Sequence, residues 1–481
     1  MLSYLIAPIS IFIAVYFNIS VLGYYGDRIQ LYVYSVFIVA AVLWKKGEFN
    51  RDIINKKVIL FIVALIGLQG LGLLISSLRA ADSIYYRSPL KMFAGFLVFL
   101  FGVLVHYLVV KLTVNTKRDI EKFSKGLWYA IVISTLVSLF QFLYIVIPGS
   151  FQSIVHFIGT YLEARWGGKE ANLSLDSYYL MGSYAETVKR INGLTEEASS
   201  MATLFFVAFI PFLLASIKNR YNLFHQNRNT KRLYITLILM VIILISAKTS
   251  SGILFGILAL VLAYRYFNKR YQLLVLACAF VAIIIFIGYG IQNNYFEYII
   301  QNFILSKNEN SISTRTGGTI ALLKSSFFGF FTGVGYEYHA YYIGTYMPEW
   351  ARHNIEYFQA VKNRDFPIVS VALGWLTDYG VLVVGLVFWY VRNKLKSFKK
   401  NVEILQKQGN SEEMLFVTLY DAMRYYLIFA LLASCLLYVW YASTYLVIFF
   451  FFIVTVKILK KTIINSAIET EHSVVESKKC V

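Results

Sequence analysis

The stretch EWARHNIEYFQ, residues 349–359, surrounds a histidine with charge: Arg352 precedes His353, while Glu349 and Glu356 lie four residues before it and three after it. An imidazole is a natural general base that can take a proton from a hydroxyl, and these neighbours could tune it, which makes His353 a candidate for that role. Upstream, SISTRTGG (311–318) sets Arg315 behind a Ser/Thr run able to cap a helix. In GVG (333–335), Gly333 and Gly335 flank Val334 in a turn that would let backbone N–H groups approach a ligand closely. Two further cations stand beside long apolar runs: Arg190 in VKRINGLTEEASS and Lys248 in ISAKTSSG. If Arg190, Lys248 and Arg315 converge, they form a cation pocket suited to a phosphate or diphosphate. The sequence has no Asp-x-Asp pair and no His/Cys cluster at ligand spacing, so leaving-group charge would fall to Arg and Lys rather than to a metal. The aromatic run YEYHAYYIGTY (336–346) suits stacking on sugars or a place at headgroup level. Each feature also has a plainer reading: a turn for GVG, an exposed loop histidine for His353, interfacial anchors for the lone cations.

The elements that must position these residues are membrane spans. Of the 481 residues, 58% are hydrophobic and 15% charged, with a mean hydropathy of +0.62, whereas soluble domains carry about 25% charged residues. A span needs roughly 20 apolar residues, and the pattern predicts an all-α, polytopic integral membrane protein of about twelve spans. They fall near 2–22, 29–44, 58–78, 90–110, 127–147, 198–217, 233–247, 252–267, 271–291, 368–391, 424–440 and 443–459. The first reads as a retained helix, because it has neither a basic leader nor a small-residue cleavage motif. Cys278, Cys435 and Cys480 supply neither a disulfide framework nor a zinc spacing.

Lys and Arg are denser in the segments after the even-numbered spans, which places both termini in the cytoplasm. Two long external loops result, at about 148–197 and 292–367, within a membrane domain covering 1–464; the tail 465–481 is polar and expected to be loose. FQSIVHFIGTYLEARW (151–166) puts its apolar residues mostly on one helical face, as a segment lying in the interface would. The net charge of +19 follows from this inside bias and from attraction to anionic lipid, and clusters such as KNRYNLFHQNRNTKR (218–232) fit that role. No basic stripe stands apart from a span, so a nucleic-acid partner is not expected. At the mouth of the sixth span, Thr195 reads as an N-cap, with Glu196 and Glu197 in a first turn that favours carboxylates.

In this order the motifs resemble the O-antigen ligase and O-antigen polymerase (Wzy-type) family of bacterial membrane glycosyltransferases. RINGLTEEASSMA resembles the family's Arg, Gly and acidic segment that opens a span, and SAKTSSG its Ser-Arg turn between two helices. STR followed by GVG resembles the start of its large periplasmic loop, and HN (353–354) followed by DYGVLVVG (378–385) the loop's close. The match in order covers roughly residues 185–390. Two departures stand out. Lys248 occupies a position where the family usually has Arg, which keeps the charge and loses bidentate recognition. The interval from Asn354 to Gly380 is longer than the family's, as though NRDFPIVSVALG (363–374) belonged to an insertion.

The resemblance implies transfer of a glycan from an undecaprenyl diphosphate carrier at the periplasmic face of the inner membrane, without metal, nucleotide sugar or other cofactor. As a polymerase, the protein would move the growing chain onto the terminal sugar of a lipid-linked repeat unit. His353 would help deprotonate the acceptor hydroxyl, while Arg315, Lys248 and Arg190 would hold the diphosphate; Glu197, Gly333, Gly335 and Asn354 would support them. A chain-length regulator and a flippase are the protein partners this implies. A ligase passing finished polymer to lipid A-core shares these features, and the divergent, Tyr-rich chain fits the variable polymerases better. A lipid-linked oligosaccharide flippase fits less well, because no internal repeat is apparent and ionisable residues are scarce inside the spans.

Overall fold

A computed structural model describes residues 2–16, 26–44, 56–147, 149–164, 183–267, 269, 272–273, 309–408, 413–436 and 440–479. Its helices in chain order are α1 (Leu2–Tyr16), α2 (Gly26–Trp44), α3 (Lys56–Arg79), α4 (Pro89–Thr113), α5 (Lys117–Val146), α6 (Gln152–Tyr161) and α7 (Tyr184–Val188). They continue as α8 (Ala198–Lys218), α9 (Lys231–Ser246), α10 (Ser250–Tyr264), α11 (Glu309–Ser326), α12 (His339–Tyr346), α13 (Ile355–Asn363), α14 (Val371–Lys407), α15 (Glu413–Ser434) and α16 (Ser443–Lys479). Apart from one isolated bridge, Asn222 to Asn227, the described residues are helical or irregular. This is what a bilayer solvent requires, since a helix satisfies its backbone groups within the segment.

Six of these helices, α3, α4, α5, α8, α14 and α15, are long and apolar enough to cross a membrane. The chain is therefore read as a multi-pass membrane protein, with six such helices among the described residues, where about twelve spans were expected. The second, seventh and eighth expected spans correspond to helices of 19, 16 and 15 residues, and the first to one of 15. The ninth, 271–291, lies outside the described residues except at 272 and 273. The eleventh is displaced: its helix starts at Glu413 and stops at Ser434, and Trp440 and Tyr441 instead turn their rings edge-on to Phe99 of α4. The polar tail does not leave the helix, because α16 runs on to Lys479.

At the centre stands α8, where 89% of the most apolar window is buried, against 22–50% in the other five long helices. Its sequence, ASSMATLFFVAFIPFLLASIK, is apolar on every side, the pattern of a core helix. It packs against α9, α10, α15 and α16. Phe206 lies stacked between Phe255 of α10 and Phe429 of α15, with ring centroids 4.2 Å away on both sides. Just before Pro211 the helix widens into a π-helical turn, Leu204–Phe209. Proline brings no N–H to the ladder, and such widened turns absorb the break.

Short connections make neighbouring helices antiparallel. Only 114–116 separate α4 from α5, and there Thr116 caps α5 by accepting from Asp119 N at 3.3 Å while the Asp119 carboxylate accepts from Thr116 N at 3.1 Å. Following this alternation, the turns 80–88 and 247–249 and the described residues of 147–197 and 435–442 share one end of the bundle, and contacts place the cap formed by 309–370 there too. The cap holds α11, α12 and α13 and is stitched to the α3–α4 turn. Arg87 reaches Glu337 at 3.0 Å, Asp365 at 3.4 Å and the Arg364 carbonyl at 2.9 Å. Tyr338 donates to the Arg87 carbonyl and Tyr341 to that of Arg79 at 3.1 Å.

Candidate functional site

Of the residues singled out from the sequence, Arg190, Glu197, Lys248, Arg315, His353 and Asn354 lie at this end, in two groups, and Gly333 and Gly335 lie in a deeper junction. The first is built on the segment before α8. Gln141 of α5 is fully buried and reads its backbone: Oε1 accepts from Gly193 N at 2.7 Å and Asn192 N at 3.2 Å, while Nε2 donates to the Gly193 carbonyl at 3.0 Å. Asn192, also fully buried, donates to the Glu163 carboxylate and, at 2.6 Å, to the Thr195 carbonyl. Glu163 in turn accepts from Ser183 Oγ and Tyr184 N, both at 3.0 Å. Gly193 adopts φ +61°, and a Cβ there would come 2.9 Å from Ser138 Oγ. The glycine is thus demanded both by backbone conformation and by close approach.

This network presents Arg190 to solvent, where the side chain makes no hydrogen bond or ion pair with a described residue. Neighbouring Lys189, at φ +55°, lies over the Tyr144 ring and donates to its hydroxyl at 2.8 Å. The expected cap is corrected: α8 begins at Ala198 with Glu197 in the N-cap position, and Thr195 donates to the Asn192 and Glu197 carbonyls instead of receiving a helix N–H. Glu197 accepts from the Ser199 hydroxyl, and Glu196 from that of Ser200 at 2.6 Å. Lys248 occupies the three-residue turn between α9 and α10 at φ +54°, exposed and without a described partner. The following Thr249 is the N-cap of α10 and accepts from Gly252 N at 3.0 Å.

The second group sits in the cap. Arg315 is within α11, not behind its cap, because the helix already starts at Glu309. Its guanidinium is exposed and unpartnered among the described residues. Asn354 is buried and ties α11 to α13: Oδ1 accepts from Thr314 Oγ1 and Tyr357 N, both at 2.8 Å, and Nδ2 donates to the Ala351 carbonyl at 2.9 Å and Ser313 Oγ at 3.3 Å. Arg315 and His353 each directly adjoin a member of the Thr314–Asn354 pair in sequence, so this bond brings the two into one neighbourhood. His353 is exposed, with no described partner to fix its ring.

The glycine turn does something different from cradling a ligand. Gly333 N donates to the Gly329 carbonyl at 2.7 Å, Val334 N to that of Thr377 at 2.7 Å, and Gly335 N to that of Asp378 at 3.2 Å. From α3, Gln69 accepts from Tyr336 N at 3.0 Å and donates to the Asp378 carbonyl at 2.8 Å, and Ser76 donates to the Val334 carbonyl at 2.6 Å. At 1.5 Å per residue, Gln69 lies roughly 15 Å below the Arg79 end of α3. Irregular backbone at that depth must be satisfied by protein, and these bonds do so. Gly333, Gly335 and Gly380 all have positive φ, and a Cβ on Gly333 would run into the backbone of Asp378 and Tyr379. Gly380 also breaks the regular course of α14. The GVG and DYG segments are therefore two halves of one junction.

That junction carries a pair that the sequence did not single out. His339 Nδ1 donates to Asp378 Oδ1 at 3.1 Å, with the side chains only 12% and 8% exposed. Burial pulls the imidazole down, but the Asp378 carboxylate, through charge and hydrogen bond, outweighs it with help from Asp365 and Glu337 and holds His339 above its ordinary value. Burial chiefly, and then the charge of Glu337, push the nearby Tyr336 phenol up. The two partners stand 39 residues apart, and no local motif signals such a pairing; only the placement of both beside Gly-rich turns hinted at it. No protein-family model matches the chain, and no curated protein sequence matches it.

Proposed function

We propose that this protein is an O-antigen polymerase of the Wzy type, joining undecaprenyl-diphosphate-linked repeat units into surface polysaccharide at the periplasmic face of the bacterial inner membrane. The observation that carries the reading is a set of three cations, Arg190, Lys248 and Arg315, exposed at one end of an apolar helical bundle and without a described counter-charge. Unpaired guanidinium and ammonium groups beside a membrane suit a lipid-linked diphosphate, whose negative charge grows as the glycosyl bond breaks. The opposite end receives the basic starts of α3 and α5 and the basic C-terminal part of α14, so the positive-inside rule turns the cation end outward and leaves both termini in the cytoplasm. The order of motifs across 185–390 supports the same reading.

In this mechanism the growing glycan leaves its carrier diphosphate, which Arg315, Lys248 and Arg190 hold, for a hydroxyl on the terminal sugar of the incoming repeat. A histidine receives the hydroxyl proton, and the motif order assigns that role to His353. Arg315 offers the test, because an exposed side chain without partners costs little stability when removed, within about 0.5 kcal/mol. R315A is expected to accumulate normally in the membrane and to abolish polymer. Near-normal polymer from that variant would refute the site.

A further inference from the structure

We infer that His339, oriented by Asp378, is the base that receives the acceptor hydroxyl's proton, in place of the exposed His353; the inference rests on the polymerase reading and deepens it. A base needs a fixed ring, a known tautomer and a free nitrogen. The Nδ1–H of His339 is spent on the Asp378 carboxylate at 3.1 Å, which leaves the Nε2 lone pair as the acceptor, and no described residue bonds to Nε2. His353 has no such orienting partner among the described residues.

The pair is also more than the junction needs in order to fold. The main-chain carbonyl of Asp378 already serves Gln69 and Gly335, and the amides of 333–336 are satisfied by carbonyls and by Gln69. The Asp378 carboxylate adds nothing to that backbone scheme; among the described residues it bonds only to His339. Asp378 is buried on α14, a helix long and apolar enough to cross a membrane, where a carboxylate is costly and marks function by default. The other charges facing His339 come from two more segments: Glu337 in the turn before α12 and Asp365 before α14, both bound to Arg87. Asp378 is the carboxylate left to the imidazole.

The step balances without a co-reactant. The acceptor hydroxyl gives its proton to His339 Nε2 as its oxygen bonds to the donor's anomeric carbon. The bond from that carbon to the phosphate oxygen breaks, and undecaprenyl diphosphate leaves with the electron pair. The imidazolium then returns its proton to solvent. Because only neutral His339 can act, the rate should rise with pH along an acid limb set above the ordinary imidazole range.

Detergent-purified full-length protein, supplied with undecaprenyl-diphosphate-linked repeat units as donor and acceptor, tests this across pH. H339Q keeps a donor for Asp378, and its turnover is expected to fall by ~10²-fold or more; added imidazole should restore part of the rate of H339A. D378N acts through positioning, so its acid limb should move down toward the ordinary imidazole value as its rate falls. Unchanged rates in H339Q and H339A overturn the inference, as does a D378N limb that stays in place. Should the His339 variants fail to accumulate, the D378N limb decides alone. A wild-type protein that joins no repeats overturns the polymerase reading itself, and is told apart by failing before any substitution is made.

Discussion

Replacing Asn354 by alanine tests whether one buried amide sets the geometry of the cap. The side chain is the N-cap of α13 and also bonds to Thr314 of α11 and to the Ala351 carbonyl, at 2.8–2.9 Å throughout. Loss of the cap costs about 1 kcal/mol. Leaving the buried Ala351 carbonyl without its donor, and breaking the tie to Thr314, adds about 1–3 kcal/mol. The expected local destabilisation is about 2–4 kcal/mol, which at 1.4 kcal/mol per decade is a roughly 30-fold or greater rise in local opening. Hydrogen–deuterium exchange reads it directly: amides of 355–363 should lose protection by that factor in N354A, while those of α8 keep theirs. N354D should fall between wild type and N354A, because it retains the acceptor for Tyr357 N and loses both donations. Polymer formation should fall with protection, since His353 and Arg315 adjoin this bond. Unchanged exchange across 355–363 in N354A would refute the claim that Asn354 holds the cap together.

Two further outcomes are expected. G333A should accumulate poorly in the membrane, because a positive φ costs an L-residue about 1–2 kcal/mol and its Cβ meets immovable backbone at Asp378 and Tyr379; normal yield and a monodisperse gel-filtration profile would contradict the junction. The His339–Asp378 pair should also make stability pH-dependent. A histidine held above its unfolded value near 6.5 contributes stability that is complete below that pH and is lost as pH rises through the raised folded value. Thermal inactivation of the wild type should therefore quicken more than that of D378N between pH 6 and pH 9, and parallel profiles would show that the pair contributes nothing.

Hydropathy made the long helices legible. Runs such as VILFIVALIGLQGLGLLIS and LFFVAFIPFLLA have one solution in a bilayer, and α3, α4 and α8 lie close to where they were expected, whereas α5 starts at Lys117 rather than near 127 and α14 runs on to Lys407 rather than ending near 391. Ends were less legible, because they depend on partners elsewhere: the eleventh expected span stops at Ser434, where the chain turns back against Phe99. Within the site, residue types pointed to Arg190, Lys248 and Arg315, and the structure leaves all three exposed at one end. What composition could not convey was which polar residues are buried together. Gln141 and Gly193 are separated by 52 positions, Gln69 and Asp378 by 309, and His339 and Asp378 by 39. Such pairs leave no periodic trace. For the same reason GVG resembled a ligand loop, until its amides proved to be spent on Gly329, Thr377 and Asp378.

The central claim is polymerisation of lipid-linked repeats, and its most direct test is a strain lacking this gene. Surface polysaccharide on a gel, read together with the undecaprenyl-linked intermediates, should show lipid A-core capped by a single repeat with the ladder gone. Uncapped core with long polymer still on its carrier would contradict the account and indicate a ligase, and single repeats trapped on the cytoplasmic leaflet would indicate a flippase.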